Sequence, residues 1–404
     1  MTATPRRSVP ETSQTGLLVV GSGPAGLAAV RAFRERRATT PLMMITQDPE
    51  VPYARPPLTK DFLRGDSTVD DLWLTEPDWF DEQRIELRRG TSVLDLDTEQ
   101  HRARLGDGSE VTYQDVVLAT GSTPVPLPLP GGDDPELIYV RDLRSGHRLR
   151  RIAEETSSRV AVIGSGFIGC EAAASLSLAG IDVVLISDEQ VPHAKRLGAD
   201  AGREIHGWLS AAGVDTRLGV PLAGIARRDG RFALELGDGR VVDVDHVVGA
   251  GGARPELGVA ERSGLLIENG GVRVNASLQT SAPHAYAAGD IAFADHAGAA
   301  RPLRVEHWGD AEQQGTIAGT VVGGESARWQ DPPGFWSTIG DRTLKYSAWG
   351  DGYDQLVVRG DQGRWTVWYR SGEEICGVLT HNDDDAYERG QRLLARRAPF
   401  DEIG

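Results

Sequence analysis

Leu17-Leu18-Val19-Val20-Gly21-Ser22-Gly23-Pro24-Ala25-Gly26 decides how the first part of this chain folds, and Val160-Ala161-Val162-Ile163-Gly164-Ser165-Gly166-Phe167-Ile168-Gly169 repeats it. Each stretch is an apolar run, a G-x-G-x-x-G turn and an apolar helix start, which reads as a buried parallel strand entering a helix. In the first turn Gly21 permits the tight bend. Gly23 lets the backbone approach a pyrophosphate, and Gly26 lets the helix lie close on the strand. The positive end of the helix dipole then favours the phosphate charge. Gly164, Gly166 and Gly169 take the same places in the second turn. One such turn implies one dinucleotide. Two imply two dinucleotides held by one chain, and the simplest use of that is to pass electrons between them.

Outward from the first turn, Pro41-Leu42-Met43-Met44-Ile45 reads as the next buried strand. An acid near its end would hold ribose hydroxyls, and Asp48 is the best placed, beside Gln47. A Pro-rich loop, Val51 to Lys60, follows; its prolines fix a rigid, non-helical path. Val93 to Leu105 and Glu110 to Leu118 read as strands around the turn Gly106-Asp107-Gly108. Val116-Val117-Leu118-Ala119-Thr120-Gly121 is a strand running into a glycine turn, and Pro124 to Pro130 reads as a stiff linker. The same order recurs after the second turn. A helix over Glu171 to Ala179 leads to a strand at Val183 to Ile186. A helix near Ala201 to Ala212, a hairpin at Gly237-Asp238-Gly239 and a strand at His246 to Val248 follow. We read this as an internal duplication of one nucleotide-binding plan. Ala285-Tyr286-Ala287-Ala288-Gly289-Asp290 ends a further strand with a turn and an acid. From about Asp331, alternating Trp and Tyr predict an antiparallel sheet, closed by a helix from about Asp384.

At the end of the second unit's second strand, Ile186 is followed by Ser187, Asp188 and Glu189. A 2′-phosphate there calls for an arginine, and two carboxylates would repel it, so NADH is favoured over NADPH. If Asp188 and Glu189 only solvate a loop, Ser187 leaves the choice open.

The net charge of −16 argues against a nucleic-acid partner, which needs a basic face. Arginine is nonetheless locally dense: Arg31, Arg34, Arg36 and Arg37 on the first helix, and Arg141, Arg144, Arg148, Arg150 and Arg151 later. These are either solvated helix faces or a docking surface for an acidic partner. No apolar run approaches the roughly 20 residues that span a bilayer, so no membrane partner is expected. Met1 to Gln14 is polar, lacks the apolar middle of a secretory signal and reads as a short disordered lead, which predicts a cytoplasmic protein. The two cysteines, Cys170 and Cys376, have no paired spacing, so neither a metal site nor a redox dithiol is expected.

Taken together, these motifs resemble the pyridine-nucleotide flavoprotein family in its ferredoxin reductase branch, which also holds rubredoxin reductases and apoptosis-inducing-factor-like flavoproteins. The similarity rests on Gly21 to Gly26, Arg55-Pro56-Pro57-Leu58-Thr59-Lys60, Ala119-Thr120-Gly121, Gly164 to Glu171, Ala288-Gly289-Asp290, Val305-Glu306-His307-Trp308 and Phe335-Trp336-Ser337, in family order over nearly the whole chain. The resemblance implies an α/β architecture of two Rossmann-like dinucleotide-binding domains plus a C-terminal α+β domain. An FAD domain would take 1–121 and 249–328, an NAD(P)H domain 122–248, and the antiparallel sheet 329–404.

The resemblance also implies roles for single residues. Gly21, Gly23, Ala25, Gly26 and Asp48 would hold the adenosine diphosphate of FAD. Arg55, Val93, Ala119, Thr120, Gly121 and Arg141 match positions near the flavin or its phosphates. Gly289 and Asp290 would meet the pyrophosphate or ribityl chain. Glu306, His307, Trp308 and Trp336 would lie close to the isoalloxazine, although core packing is the commoner fate of a Trp. Gly164, Gly166, Phe167, Ile168, Ser187, Asp188 and Gly252 would serve NADH, with NADPH left open. Lys60 and Glu171 match a family ion pair beside the flavin N5, where hydride arrives. Read without the family, they are a surface lysine and a glutamate favoured by a helix N-terminus.

There are departures. The chain lacks the cysteine pair of disulfide-reducing relatives and the cysteine that peroxide- or oxygen-reducing relatives carry in the region of Pro57 to Lys60. Ser187 stands where the family has an acid. The expectation is an FAD-dependent NAD(P)H:ferredoxin reductase, monomeric or homodimeric, that feeds an iron–sulfur protein serving a monooxygenase or dioxygenase. A reductase of quinones or other small acceptors and an NAD(H)-sensing interaction module are the alternatives.

Overall fold

The computed structural model describes residues 12–155, 157–361 and 363–404. The chain divides into two compact units. One comprises residues up to Tyr53, Leu74–Ser122 and Pro255–Asp331; the other comprises Ala54–Trp73, Thr123–Arg254 and Pro332–Gly404.

In the first unit, four strands lie parallel in the order Ile85–Arg88, Leu42–Ile45, Thr12–Val20, Glu110–Leu118. The last of these pairs over its start with Arg102–Leu105 and over its end with Ala285–Ala287. Leu17, Leu18 and Val19 are fully buried, as are Val116, Val117 and Leu118 opposite, which is what a parallel strand covered on both faces requires. Most of Met1 to Gln14 lies outside the described residues. Thr12 to Gln14, however, belong to the first strand, in register with Glu110 to Thr112, rather than to a disordered lead. The stretch from Val93 to Leu105 is two strands, Val93–Asp97 and Arg102–Leu105, rather than one. Asp97 accepts hydrogen bonds from the backbone of Glu99 and Gln100 at 3.1 and 2.9 Å, a side-chain turn that reverses the chain. Helix Pro24–Arg36 packs on helix Trp308–Val322, where Gly315 and Gly319 sit against the carbonyls of Ala25 and Ala29 and leave no room for a side chain.

The second unit repeats the plan. Four parallel strands run in the order Asp215–Leu218, Asp182–Ser187, Arg159–Ile163, His246–Gly249. The expected hairpin at Gly237 to Gly239 joins Arg231–Leu236 to Val241–Val244 in a three-stranded antiparallel sheet with Leu222–Arg228. Leu127 belongs to the hydrophobic core beside Ile163, Ile186 and Leu234, so the proline-rich linker is anchored at its middle. The tail forms a five-stranded antiparallel sheet in the order Gly334–Ile339, Arg342–Ala348, Glu374–His381, Arg364–Ser371, Gln355–Asp361. Helix Asp384–Ala395 closes it, burying Leu393 and Leu394 against Trp368 and Val378.

The architecture is therefore the expected α/β arrangement of two Rossmann-like units with a C-terminal antiparallel sheet. Of the four arginines at the first helix, Arg31 and Arg37 are exposed, as a solvated face requires, whereas Arg34 is not. Arg34 is only 7% exposed and donates to the carbonyls of Arg37, Thr40 and Arg84, while Arg37 donates to the carbonyl of Gly323. They tie the helix end to its neighbours.

Candidate dinucleotide sites and a buried ion pair

The two glycine turns match in geometry. Gly21 and Gly164 both have φ of +109°, a region that side chains rarely enter. A Cβ on Gly21 would strike the carbonyl of Ala119, and one on Gly164 the carbonyl of Ala250. Gly26 and Gly169 likewise rest on the carbonyls of Gly21 and Gly164. The serine inside each turn reaches the end of the neighbouring strand, Ser22 to Thr46 at 3.0 Å and Ser165 to Ser187 at 2.8 Å. The duplication therefore extends to single hydrogen bonds.

Each turn delivers an extended glycine, Gly23 or Gly166, as the N-cap of its helix. Neither helix has a side-chain cap or an acid in its first turn. Helix N-termini leave backbone donors without intrahelical partners, and an anion satisfies them. A Cβ built on Gly166 meets nothing within 4 Å, so open space lies where a phosphate would approach. These features fit a dinucleotide at each turn.

In the first unit, Asp48 accepts from the Tyr53 hydroxyl at 2.9 Å and from the Glu50 amide at 3.1 Å. Thr120 is fixed by the Glu256 carbonyl at 2.7 Å, and Asp290 accepts from Ser122 at 2.6 Å. Gly289 donates its N–H to Gln314 Oε1 at 2.9 Å, while Gln314 Nε2 is buried with no hydrogen-bond partner among the described residues. Ala25, beneath Gly289, completes a cluster of the first turn, Ala119 to Gly121 and Gly289 to Asp290. Val93 is buried at the head of its strand. His307 pairs with buried Asp310 at 3.0 Å, ahead of the half-buried Trp308, whereas Glu306 is exposed and bonded to Arg304 at 2.9 Å.

In the second unit the sequence brings Lys60 and Glu171 together across 111 residues. Lys60 Nζ donates to Glu171 Oε2 at 2.6 Å and to the Pro56 carbonyl at 3.1 Å. Glu171 is 4% exposed, and two hydroxyls missed at the sequence level complete its shell. Thr59 donates to Oε2 and Ser337 to Oε1, both at 2.7 Å. Glu171 and Ser175 lie four apart on one face of helix Phe167–Leu178, and Ser175 donates to the Thr59 carbonyl at 2.8 Å. The proline-fixed segment is thus clamped twice to one helix face. Period-two alternation on Gly334–Ile339 turns Ser337 inward and leaves Trp336 53% exposed, a signal that Phe335-Trp336-Ser337 already carried. The proline-rich loop is not wholly non-helical as expected: Pro56–Thr59 form a short 3-10 helix, since the fixed φ of proline suits a first helical turn, with Arg55 at its N-cap position and no side-chain cap. Arg141 donates its backbone N–H to Ser145 at 3.0 Å.

At the coenzyme end of this unit Ser187 is buried and Asp188 exposed. Glu189, which the sequence left undecided, turns back: its carboxylate accepts from the His193 backbone at 2.9 Å and from Ser165 at 3.4 Å. The His193 ring packs against Phe167, ring centres 3.9 Å apart and planes tilted by 32°, and its Nε2 is buried without a partner among the described residues. Burial pushes its pKa down to about 3. Ile168 is exposed, and Gly252, with a positive φ, accepts from Val125 at 2.9 Å.

Residues 15–315 match the family model for pyridine nucleotide-disulphide oxidoreductases, and residues 334–403 match a reductase C-terminal domain. The chain is 32% identical to rhodocoxin reductase of Rhodococcus erythropolis over 95% of its length and 90% of that protein. It is 30% identical to putidaredoxin reductase CamA of Pseudomonas putida over 95% and 93%. Among solved structures, the covalent putidaredoxin reductase–putidaredoxin complex superimposes with a TM-score of 0.89 at 28% identity, covering 96% of this chain and 94% of that one. With two matched glycine turns, a buried Lys60–Glu171 pair and a C-terminal sheet, the chain belongs to the pyridine nucleotide-disulphide oxidoreductase family, in its ferredoxin reductase branch.

Proposed function

We propose that this protein is an FAD-dependent NAD(P)H:ferredoxin reductase. It draws electrons from NADH and delivers them to an iron–sulfur protein that serves a monooxygenase or dioxygenase. The observation that carries the reading is the pair of uncapped glycine turns with one geometry in one chain. Several relatives, including the anthranilate 1,2-dioxygenase system reductase component of Burkholderia cepacia, are named for this role.

In this reading the first turn, with Asp48, Ala119 to Gly121 and Gly289 to Asp290, holds FAD, within a domain of 1–121 and 249–328. The second turn binds NADH, within 122–248, and 329–404 forms the C-terminal domain. FAD, when bound, accepts a hydride and releases electrons singly, which no side chain here does. Glu171 keeps the Lys60 ammonium in place, so a fixed positive charge stands ready for negative charge developing during hydride transfer. Thr59 and Ser337 hold the carboxylate that does this. Glu189 sets a negative charge beside the second turn, which repels a 2′-phosphate and favours NADH. The unpaired buried thiols of Cys170 and Cys376 suit a cytoplasmic protein. Among the described residues no helix is long and apolar enough to cross a membrane.

The test is anaerobic titration of FAD-reconstituted protein with NADH, then cytochrome c reduction with and without an added [2Fe–2S] ferredoxin. We expect a yellow protein that NADH bleaches and turnover that requires the ferredoxin. A colourless protein, or full turnover with quinone and no protein carrier, defeats the reading.

A further inference from the structure

Helix Leu143–Ala153 is strongly two-sided. Leu143, Gly146, Leu149 and Ile152 are buried, while Arg144, His147 and Arg151 are exposed and Arg148 is half-buried. The spacings 144, 148 and 151 put the three arginines on one face. Among the described residues neither Arg144 nor Arg151 makes an ion pair, and Arg148 spends one N–H on the Glu136 carbonyl at 3.1 Å. Several exposed arginines elsewhere are neutralised, Arg104 by Asp95, Arg203 by Asp200, Arg240 by Asp238 and Arg396 by Glu402. Arg89, Arg228, Arg254 and Arg328 are exposed without an ion pair among the described residues but do not share one helix face. The helix also packs on the segment that carries Lys60. Gly146 meets the Leu58 side chain, the ring of Phe62 meets His147 edge-on at 5.3 Å, and Arg150 lies over Phe62 and donates to the Ser67 carbonyl at 2.9 Å.

We infer that the Arg144–Arg148–Arg151 face of this helix is where a carboxylate-rich iron–sulfur protein docks to collect electrons; this rests on the reductase reading above. A chain of net charge −16 repels an acidic partner from most directions, so three arginines without ion pairs on one helix face favour approach there over a single exposed arginine elsewhere. The face is rigid: Asp142 and Ser145 form a reciprocal capping box at its start. Its charge acts over about 8 Å at physiological ionic strength, so it guides close approach rather than distant capture.

The probe is putidaredoxin, a small [2Fe–2S] protein, as carrier in NADH-driven cytochrome c reduction at low salt. The variant R144E/R148E/R151E should raise its KM at least tenfold and flatten the salt dependence of kcat/KM. The NADH:ferricyanide rate, which needs no docked protein, should stay within twofold of wild type and so certifies the fold. A milder R144Q/R151Q variant should raise KM about threefold. Unchanged KM in both variants, alongside wild-type turnover, overturns the docking face and leaves the reductase reading standing. Failure of the wild type to reduce putidaredoxin at any salt while ferricyanide is reduced overturns both. Wild-type binding to duplex DNA without binding to putidaredoxin overturns the choice of partner.

Discussion

Ser337 donates its hydroxyl proton to Glu171 at 2.7 Å across 166 residues of sequence, tying the first strand of the C-terminal sheet to the carboxylate that also holds Lys60. The sheet therefore does more than cover the unit; one of its side chains completes a buried ion pair.

Removing either member of that pair leaves the other charge buried and alone, a cost of about 3–5 kcal/mol. Lys60→Ala and Glu171→Ala should slow flavin reduction by NADH at least tenfold in stopped flow, with FAD still bound. Wild-type rates in both variants would remove the pair from the mechanism.

Ser337→Ala and Thr59→Val each delete one of the hydroxyl donors to Glu171. A hydrogen bond to a charged group is worth about 1.5–3 kcal/mol, but Lys60 stays in place. Flavin reduction should fall by severalfold, less than in Lys60→Ala, and Ser337→Thr should restore it. A loss of Tm with no change in the reduction rate would show the hydroxyls to be structural only.

The second glycine turn separates folding from binding. Gly166→Val adds a side chain into open space, so the protein should fold, stay yellow and lose NADH affinity by about a hundredfold. Gly164→Ala meets both an unfavourable φ and the Ala250 carbonyl, so it should lower thermal stability by several degrees. Equal NADH affinity in Gly166→Val and wild type would place the coenzyme elsewhere.

Coenzyme choice should depend on Glu189. Glu189→Gln removes the charge while keeping a group that Ser165 and the His193 amide can reach. The ratio of kcat/KM for NADPH over NADH should rise about tenfold, roughly 1.4 kcal/mol. A ratio that does not move would assign discrimination to another residue.

Buried His193 makes acid destabilising. The unfolded chain takes up a proton below about pH 6.5, whereas the folded imidazole resists until about 3. Its contribution is therefore whole above pH 6.5 and lost as pH falls through that window, by about 2 kcal/mol at pH 5. Urea unfolding of His193→Leu should show a smaller loss between pH 7 and 5 than wild type. Parallel losses in the two proteins would acquit His193.

Sequence alone determined the two strand–turn–helix units, their duplication and the C-terminal antiparallel sheet. The reason is local: a glycine with φ of +109° against a carbonyl, and apolar runs of strand length, are written within ten residues. It also named Lys60 and Glu171, but only as members of motifs that belong together in a family. Tertiary structure decided what composition leaves open. It buried Arg34 among carbonyls while leaving Arg144 and Arg151 in solvent, although both groups read alike as arginine-rich helices. It folded Glu189 back onto the second turn, and it brought Thr59 and Ser337 to Glu171. Those outcomes depend on which groups meet after the chain collapses, and a buried carboxylate takes its partners from wherever the topology delivers a donor.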